Sequence, residues 1–113
     1  NLNRLDYLAI LANCEFIIGN SSSGILEAPT FSKPALNLGR RQADRFRGDN
    51  VIDCEYNKEE ILLAILKARS NQFKSLCTQS KNPYGSGDSS KQILNALENT
   101  VVDSNFLIKR ITF

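Results

Sequence analysis

The chain has 113 residues, 42% of them hydrophobic, and its 14 basic and 12 acidic side chains give a formal net charge of +2. This length suits one small domain, and the hydrophobic content is too high for a disordered chain. The charge is too small to predict nucleic acid as a partner, and no apolar run approaches the roughly 18 residues of a membrane-spanning helix, so no membrane partner is expected.

The first part of the chain predicts a helix, a strand and a polar turn that leads into a second helix. Apolar residues recur at helical spacing over 3–13, which indicates an amphipathic helix. The apolar run 16–18 ends at a glycine, as is typical of a strand buried on both faces. The polar turn 20–24 follows, and 25–28 predicts a short helix that Pro29 either ends or bends.

The middle of the chain predicts two further strands and two helices. Residues 34–38 predict a second buried strand, and an arginine-rich polar loop over 39–50 leads to a third strand over 51–54. Periodic apolar residues and acidic first-turn residues predict a helix over 58–69. The segment 71–80 is either a second helix or a loose turn.

The last part of the chain predicts a turn, a helix and a tail. The glycine-rich segment 82–87 is typical of a turn, and Asp88 or Ser89 is suited to cap a helix that runs to about Glu98. The tail over 100–113 has no clear pattern. The alternation of helices and strands indicates an α/β fold with a mostly parallel sheet. Three strands are too few for a complete doubly wound sheet, so we expect part of the domain to lie upstream.

The cysteine pattern argues against metal or disulfide chemistry. Cys14, Cys54 and Cys77 are widely spaced, and the chain has no histidine and no CxxC pair. We therefore expect no metal site and no disulfide framework, but reduced, buried thiols in a cytoplasmic protein. Because the chain begins at Asn1 and has no methionine, we also expect it to be a piece of a longer protein.

The turn after the first predicted strand is the strongest candidate for a binding site. Ligands of open α/β sheets bind beyond the carboxyl ends of the strands, and a helix N-terminus there offers backbone N–H groups to a phosphate. Ser21, Ser22 and Ser23 would add hydroxyl donors, and Gly24 would let the backbone approach a ligand closely. The alternative, that these serines only cap the helix, agrees equally well with the spacing.

Charged side chains near this turn have two interpretations each. Glu27 would accept hydrogen bonds from a ribose diol, but the sequence alone favours an ordinary surface glutamate near a helix dipole. The arginines of the loop over 39–50 would clamp a pyrophosphate, or they belong to a solvated basic loop, and their place after a strand favours the clamp. These arginines are Arg40, Arg41, Arg45 and Arg47. The turn over 82–87 would border a ligand, but a structural turn with Tyr84 as a packing aromatic is favoured.

Taken together, these segments resemble the UDP-N-acetylglucosamine 2-epimerase family. The resemblance rests on the order and spacing of short motifs between about residue 5 and residue 98. The motifs are Gly19-Asn20-Ser21-Ser22-Ser23-Gly24-Ile25, Glu27-Ala28-Pro29, Pro34 with Asn37-Leu38-Gly39, Arg41-Gln42 with Arg45, Asn50-Val51-Ile52, and Asn82-Pro83-Tyr84-Gly85 with Gly87. Each motif is weak alone, and the ordered set is specific.

The resemblance implies an architecture and a division of the chain. Members of the family have two Rossmann-like domains that face a cleft, in the manner of GT-B glycosyltransferases, and this chain would be the later part of the second domain. Residues 1–99 would be the incomplete nucleotide-binding part, and 100–113 a C-terminal tail. The complete protein would be a homo-oligomer and would need no cofactor.

The resemblance also implies roles for individual residues toward a UDP-sugar. Ser21 and Ser22 would bind the diphosphate, Glu27 the uridine ribose, and Arg41 would also contact UDP. Further candidates for UDP binding are Ser23, Gly24 and Arg45. The catalytic acidic residues and the histidine of the family lie upstream, so we expect no catalytic residue in this chain.

The serine-rich turn and the Asn-Leu-Gly-x-Arg-Gln stretch resemble the hydrolysing branch of the family rather than the branch with an Asp-Ser-Gly-Gly turn. This implies conversion of UDP-N-acetylglucosamine and water to N-acetylmannosamine and UDP, as in sialic acid synthesis. The reaction would eliminate UDP and add water to a glycal-type intermediate. Some relatives act on UDP-diacetylbacillosamine, and the residues of this chain do not distinguish that substrate from UDP-N-acetylglucosamine. The alternatives are a fragment of a GT-B glycosyltransferase, a non-catalytic nucleotide-sugar binding module, and an α/β interaction domain without a ligand.

Overall fold

Each predicted helix and strand corresponds to an element of the computed structural model, which describes residues 2–103 together with Phe106 and Ile108. In chain order the elements are α1 (Arg4–Asn13), β1 (Ile17–Gly19), α2 (Ser23–Leu26), a 3₁₀ turn (Ala28–Phe31), β2 (Ala35–Leu38), β3 (Val51–Cys54), α3 (Lys58–Arg69), α4 (Asn71–Gln79) and α5 (Ser89–Asn99). The α/β fold class is therefore confirmed. The predicted tail over 100–113 lies mostly outside the described residues.

The three strands form one parallel sheet in the order β1–β2–β3. Ile17 pairs with Ala35, and Asn37 pairs with Asp53, so the carboxyl ends of all three strands lie at the same edge. Strand β2 is central, and its Ala35 and Leu36 are only 2% and 1% exposed. Burial on both faces explains why its residues are apolar except for Asn37. The parallel sheet of a Rossmann-like fragment is confirmed.

Helices cover both faces of this sheet. Successive side chains of β2 point to opposite sides, so neighbouring residues of this strand pack against different helices. On one face, Leu36 packs with residues of β3, α3 and α4, and this core cluster contains Leu36, Ile52, Cys54, Ala64, Ala68, Phe73 and Cys77. On the other face, Ala35 packs with Leu11 of α1 and Ala28 of the 3₁₀ turn. The central strand therefore lies between two helical layers.

The longer helices α1, α3 and α4 begin at residues that cap their backbone N–H groups. Asn3 accepts a hydrogen bond from the N–H of Asp6 at 2.9 Å, and Ser70 accepts one from the N–H of Phe73 at 3.2 Å. Asn57 accepts bonds from two N–H groups in the first turn of α3. Such caps satisfy donors that have no partner inside a helix. The sequence of this segment allowed either a helix or a loose turn, and the cap at Ser70 belongs to a helix.

Helix α5 differs from the other long helices because none of its residues is buried. Asp88 occupies the N-cap position, but its carboxylate accepts hydrogen bonds from the side chains of Gln92 and Ser86 instead of from the helix backbone. These two bonds lower the pKa of Asp88 below its ordinary value. The apolar side chains Ile93 and Leu97 are 60% and 70% exposed. Within the described residues, no helix has the length and apolar character that crossing a membrane requires.

Candidate functional site

Asn20, which directly follows β1, joins the loops that leave the three strands. Its backbone oxygen accepts a hydrogen bond from Nε2 of Gln42 at 3.0 Å, and its Nδ2 donates to the hydroxyl of Tyr56 at 3.2 Å. Gln42 lies in the loop after β2, and Tyr56 lies in the loop after β3. The carboxyl edge of the sheet is therefore one connected surface, and ligands of open α/β sheets bind at this edge.

The ring of Tyr56 lies against Gly39, the residue that directly follows the central strand. Gly39 has a φ of +67°, and a Cβ atom added there would lie 2.5 Å from a ring carbon of Tyr56. Glycine is required at this position because the left-handed backbone and the ring both exclude a side chain. Tyr56 nevertheless remains 69% exposed, so its ring is accessible at the carboxyl edge.

Ser21 and Ser22 form the accessible part of the serine turn. Ser21 is exposed and Ser22 is half-buried, and among residues 2–103 no acceptor is bonded to the backbone N–H of either residue. The Oγ of Ser21 accepts a bond of 3.3 Å from the N–H of Ser23. The two serines therefore present N–H and O–H donors to the space beyond β1, as an anion site requires.

The helix behind this turn begins two residues earlier than predicted and is a single turn. Helix α2 spans only Ser23–Leu26, and Ser22 at its N-cap position makes no side-chain capping bond. Pro29 lies in the first turn of the following 3₁₀ segment, in agreement with the predicted break. A helix of one turn sums few peptide dipoles, so the expected contribution of a helix macrodipole to phosphate binding is small. An anion at this turn would be held by individual N–H and hydroxyl groups.

Ser23 differs from the two preceding serines because it is buried, with 8% of its surface exposed. Its hydroxyl is hydrogen-bonded to the hydroxyl of Tyr7 and donates to Oε2 of Glu27 at 2.6 Å. This hydroxyl therefore connects α1 with the end of α2. A contact between Ser23 and UDP stays a prediction.

Glu27 lies between α2 and the 3₁₀ turn, and it is the C-cap residue of α2 and the N-cap residue of the turn. The dipoles of these two short elements have opposite effects on a carboxylate there, so they do not determine its role. Besides its bond with Ser23, its carboxylate lies 3.5 Å from the guanidinium of Arg4. The side chain is 27% exposed. An ionised carboxylate offers about four acceptor positions, so Glu27 retains capacity for a ribose hydroxyl. That contact stays a prediction.

Gly24 has a packing role. A Cβ atom at Gly24 would lie 3.1 Å from the Cβ of Ala35 and 3.7 Å from a methyl group of Ile17. The glycine thus lets α2 lie directly on β1 and β2. The close backbone approach that was expected for a ligand is made here to the sheet, and a ligand contact of Gly24 stays a prediction.

Arg47 points into the protein, unlike the other arginines of its loop. Its guanidinium lies 2.5 Å from the carboxylate of Asp53 and donates to the backbone oxygens of Gln42 and Ala43 at 2.8 and 2.5 Å. Since its donors are occupied by protein acceptors, Arg47 serves the fold of the loop. The pyrophosphate clamp expected from the whole arginine loop therefore does not include it.

Arg40, Arg41 and Arg45 are exposed to solvent. In the part of the chain that the structure describes, none of the three forms an ion pair with a carboxylate. Arg41 directly precedes Gln42, whose side chain is bonded to Asn20, so the backbone of Arg41 lies beside the serine turn. Arg45 follows later in the loop. Binding of UDP by Arg41 or Arg45 stays a prediction.

The Asn-Pro-Tyr-Gly turn connects two parts of the site without entering it. Asn82 donates to the backbone oxygen of Leu26 at 3.0 Å and to the hydroxyl of Thr30 at 2.8 Å. The hydroxyl of Tyr84 donates to the backbone oxygen of Phe46 at 2.7 Å. These bonds join the end of α2 to the arginine loop and support the structural interpretation of the turn. Tyr84 is 45% exposed and acts through its hydroxyl, so the packing role expected for it is wrong.

Sequence reasoning missed three buried amides that connect loops of the sheet, Asn37 and Gln42 toward its carboxyl edge and Asn50, which directly precedes β3, at its amino edge. Asn50 has no exposed surface and donates to the backbone oxygens of Gly24 and Lys33 at 3.2 and 3.0 Å. Asn37 and Gln42 are each 4% exposed. The sequence feature that could have identified them is an amide side chain within or directly beside an apolar strand. Buried amides are typically hydrogen-bonded, often to backbone groups.

Two of the three cysteines lie in the core, and their thiols resist ionisation. Burial raises the pKa of Cys54, and the negative charge of Glu60 and of other nearby carboxylates raises it further. Burial also raises the pKa of Cys77. A raised pKa lowers the thiolate fraction, so neither thiol is a strong nucleophile at neutral pH. Cys14 is only half-buried, so the expectation of buried thiols holds for two of the three.

Known proteins match this chain over 66% to 96% of its length. The family model for UDP-N-acetylglucosamine 2-epimerase matches residues 1–98. A UDP-N,N'-diacetylbacillosamine 2-epimerase (hydrolyzing) of Legionella pneumophila is 37% identical over 109 residues, which are 96% of this chain and 28% of that protein. The polysialic acid biosynthesis protein P7 of Escherichia coli is 40% identical over 79 residues, 70% of this chain and 20% of that protein.

A further relative is a GDP/UDP-N,N'-diacetylbacillosamine 2-epimerase (hydrolyzing) of Campylobacter jejuni, which is 43% identical over 74 residues, 66% of this chain and 19% of that protein. The chain thus spans less than a third of the length of each of these relatives. The family match extends from α1 through most of α5 and includes every loop of the carboxyl edge. This chain therefore belongs to the UDP-N-acetylglucosamine 2-epimerase family.

Proposed function

We propose that this chain is the UDP-binding part of a hydrolysing UDP-N-acetylglucosamine 2-epimerase, which converts UDP-N-acetylglucosamine and water to N-acetylmannosamine and UDP. The observation that carries the proposal is that Gln42 ties the exposed Arg41 to the turn that presents the donors of Ser21 and Ser22. The hydrolysing branch is supported by the names of the Legionella and Campylobacter relatives.

The proposed role of this edge is to bind and stabilise the leaving group. Ser21 and Ser22 bind the diphosphate through N–H and hydroxyl groups, and the guanidinium of Arg41 supplies a delocalised positive charge. When the bond between the sugar C1 and the diphosphate oxygen breaks, negative charge develops on UDP. Donors that already point at this charge lower the barrier, because they need no reorganisation during the reaction.

The remaining contacts in the proposal complete the UDP site. Glu27 accepts hydrogen bonds from the ribose hydroxyls with the acceptor capacity that Ser23 and Arg4 leave. The proposed site is completed by Ser23, Gly24 and Arg45.

The complete protein in this proposal is a two-domain, GT-B-like homo-oligomer that acts in the cytoplasm. Removal of the proton at the sugar C2 requires a general base, and water must then add to the glycal-type intermediate. We assign both tasks to the rest of the protein across a cleft from this edge. The buried thiols of Cys54 and Cys77 agree with a reducing compartment.

The reaction is tested with the complete native polypeptide that carries this chain. It is incubated with UDP-N-acetylglucosamine, and separately with UDP-N,N'-diacetylbacillosamine, and the products are followed by proton NMR. We expect free N-acetylmannosamine and UDP from the first substrate. UDP-N-acetylmannosamine would move the protein to the non-hydrolysing branch, turnover of the second substrate alone would correct the sugar, and transfer that needs an acceptor would indicate a glycosyltransferase.

The site is tested by the affinity of the same polypeptide for UDP, measured by isothermal titration calorimetry. The variant Arg41→Ala is expected to weaken UDP binding about tenfold, which corresponds to about 1.4 kcal/mol. The control variant Arg69→Ala removes the same charge near Glu15, at the opposite edge of the sheet, and is expected to leave the affinity unchanged. Equal effects of the two variants, or no UDP binding by the native protein, would overturn the proposed site.

A further inference from the structure

The guanidinium of Arg47 is the centre around which the loop after β2 is folded. It donates through Nε to the backbone oxygen of Arg45 at 3.3 Å, and through Nη2 to those of Gln42 and Ala43 at 2.8 and 2.5 Å. The side chain is only 21% exposed. Because three carbonyl groups of one short segment converge on a single rigid group, their relative positions are determined by that group.

Asp53 connects this guanidinium to the sheet. Its Oδ1 accepts a hydrogen bond from Nη1 of Arg47 at 2.5 Å and another from Nδ2 of Asn37 at 2.7 Å. Asn37 and Asp53 are register partners in β2 and β3. The buried position of Asn37, with 4% exposure, anchors the connection in the interior of the fold.

Gln42 connects the same loop to the serine turn. Its backbone oxygen is held by Arg47, and its side-chain Nε2 donates to the backbone oxygen of Asn20 at 3.0 Å. The residue is 4% exposed, so water does not compete with these bonds. Gln42 is thus held at both its backbone and its side chain, whereas the side chain of the preceding residue, Arg41, is exposed.

We propose that Arg47 and Gln42 are positioning residues for UDP, which hold the backbone of Arg41 beside Ser21 and Ser22 so that the loops after β1 and β2 form one rigid diphosphate cradle. The inference rests on the proposed function, because it takes Arg41 as the group that contacts the diphosphate. A loop that is ordered before binding loses little conformational entropy when the ligand arrives, and the affinity is higher for that reason.

A double-mutant cycle on the complete native polypeptide tests this role, with UDP as the ligand and calorimetry as the measurement. Gln42→Met keeps the length of the side chain and removes its donor. We expect it to weaken UDP binding about tenfold in the native background and less than about twofold in an Arg41→Ala background, because a positioning residue acts through the residue that it positions. The affinity for uridine, which has no phosphate, is expected to be unchanged by Gln42→Met.

Arg47→Lys provides an independent variant, since an ammonium group keeps the charge beside Asp53 but lacks the planar fork that binds three carbonyl groups. It is expected to show the same dependence on Arg41. Arg69→Lys is the matched control, and thermal unfolding of every variant verifies that it is folded. If Arg47→Lys does not fold, Asp53→Asn replaces it in the cycle.

The outcomes separate this inference from the proposed function. Weakening by the same factor in both backgrounds would mean that Gln42 and Arg47 act independently of Arg41, and no weakening at all would mean that the loop position is unimportant. Either result, with the native protein still binding UDP, overturns the positioning role alone. Absence of UDP binding by the native protein would overturn the proposed function and the positioning role together.

Discussion

Ser21, Ser22 and Ser23 are consecutive, but their hydroxyl groups have different surroundings. Ser21 is exposed, whereas the hydroxyl of Ser23 is enclosed between Tyr7 and Glu27. Removing the hydroxyl of Ser21 takes one long bond of 3.3 Å from the N–H of Ser23, whereas removing the hydroxyl of Ser23 takes a shared partner from both Tyr7 and Glu27. The same substitution should therefore affect stability at one position and ligand binding at the other.

Ser23→Ala is expected to lower the free energy of unfolding by about 1–3 kcal/mol, because the hydroxyl of the half-buried Tyr7 and the carboxylate of Glu27 lose a shared partner. Ser21→Ala, the matched control, is expected to change it by less than about 0.5 kcal/mol and to weaken UDP binding instead. Urea denaturation of both variants checks the prediction. Equal stability losses would contradict the separation of the two hydroxyl groups.

At Gly39, backbone strain and crowding are predicted to contribute separately. Gly39→Ala is expected to destabilise the fold by about 2–4 kcal/mol, because the methyl group would meet the ring of Tyr56 and the backbone has a φ of +67°. In a Tyr56→Ala background only the cost of the left-handed backbone remains, about 1–2 kcal/mol. Urea denaturation of the two single variants and the double variant measures both terms. Equal losses in the two backgrounds would exclude the crowding.

At the scale of elements, the sequence predicted the bounds of those helices and strands that depend only on residues close together in the chain. Helix α3 has periodic apolar residues and acidic first-turn residues, and β2 is mostly apolar, so both were predicted at or near their observed bounds. Helix α2 was misplaced because its single turn is determined by the packing of Gly24 on the sheet. Arg47 could not be separated from its neighbours, because its partner Asp53 belongs to the next strand.

Asn50 links α2, β2 and β3 through a neutral amide donor, so a titratable group in its place should make the stability of this link depend on pH. Asn50→Asp would replace a donor that faces two backbone oxygens with an acceptor. Burial and these oxygens raise the folded-state pKa of the introduced carboxyl above its unfolded value of about 3.9. The free energy of unfolding of this variant, relative to the native protein, should therefore be highest below about pH 4 and fall as the pH rises through the raised pKa.

Urea denaturation of Asn50→Asp at several pH values checks this dependence. Asn50→Ala is the control, because it also loses both hydrogen bonds but introduces no titratable group. Its difference in stability from the native protein should be nearly independent of pH. Parallel pH profiles of the two variants would contradict the assignment of Asn50 as a donor to both oxygens.

The cluster between the sheet and the helices α3 and α4 should protect its two thiols. Cys54 and Cys77 have raised pKa values because of burial, so their thiolate fractions at pH 8 are small. We expect iodoacetamide to modify the half-buried Cys14 first and the two core thiols much more slowly. Mass spectrometry of digests taken over time measures the three rates. In urea the rates should converge, and a native-state rate at Cys54 equal to that at Cys14 would contradict the packing of β3.

At the scale of the molecule, the described residues form a binding surface at the carboxyl edge of the sheet. This surface presents donors, exposed arginines and a carboxylate, and within the part of the chain that the structure describes the titratable groups with raised pKa values are two core thiols. General bases are typically carboxyl, imidazole or amine groups whose pKa is tuned toward the working pH. The surface also carries apolar side chains on α3 and α5, among them Leu63, Leu66 and Leu97.

The isolated 113-residue chain is therefore expected to release no N-acetylmannosamine from UDP-N-acetylglucosamine, because it spans only 28% of the length of the Legionella relative and stabilises only the leaving group in the proposed mechanism. Proton NMR of the isolated chain and of the complete native polypeptide, at equal molar concentrations, measures the difference. Circular dichroism of the isolated chain separates inactivity from unfolding. Turnover by the folded piece alone would mean that it contains a general base for the C2 proton, and would overturn the assignment of that step to the rest of the protein.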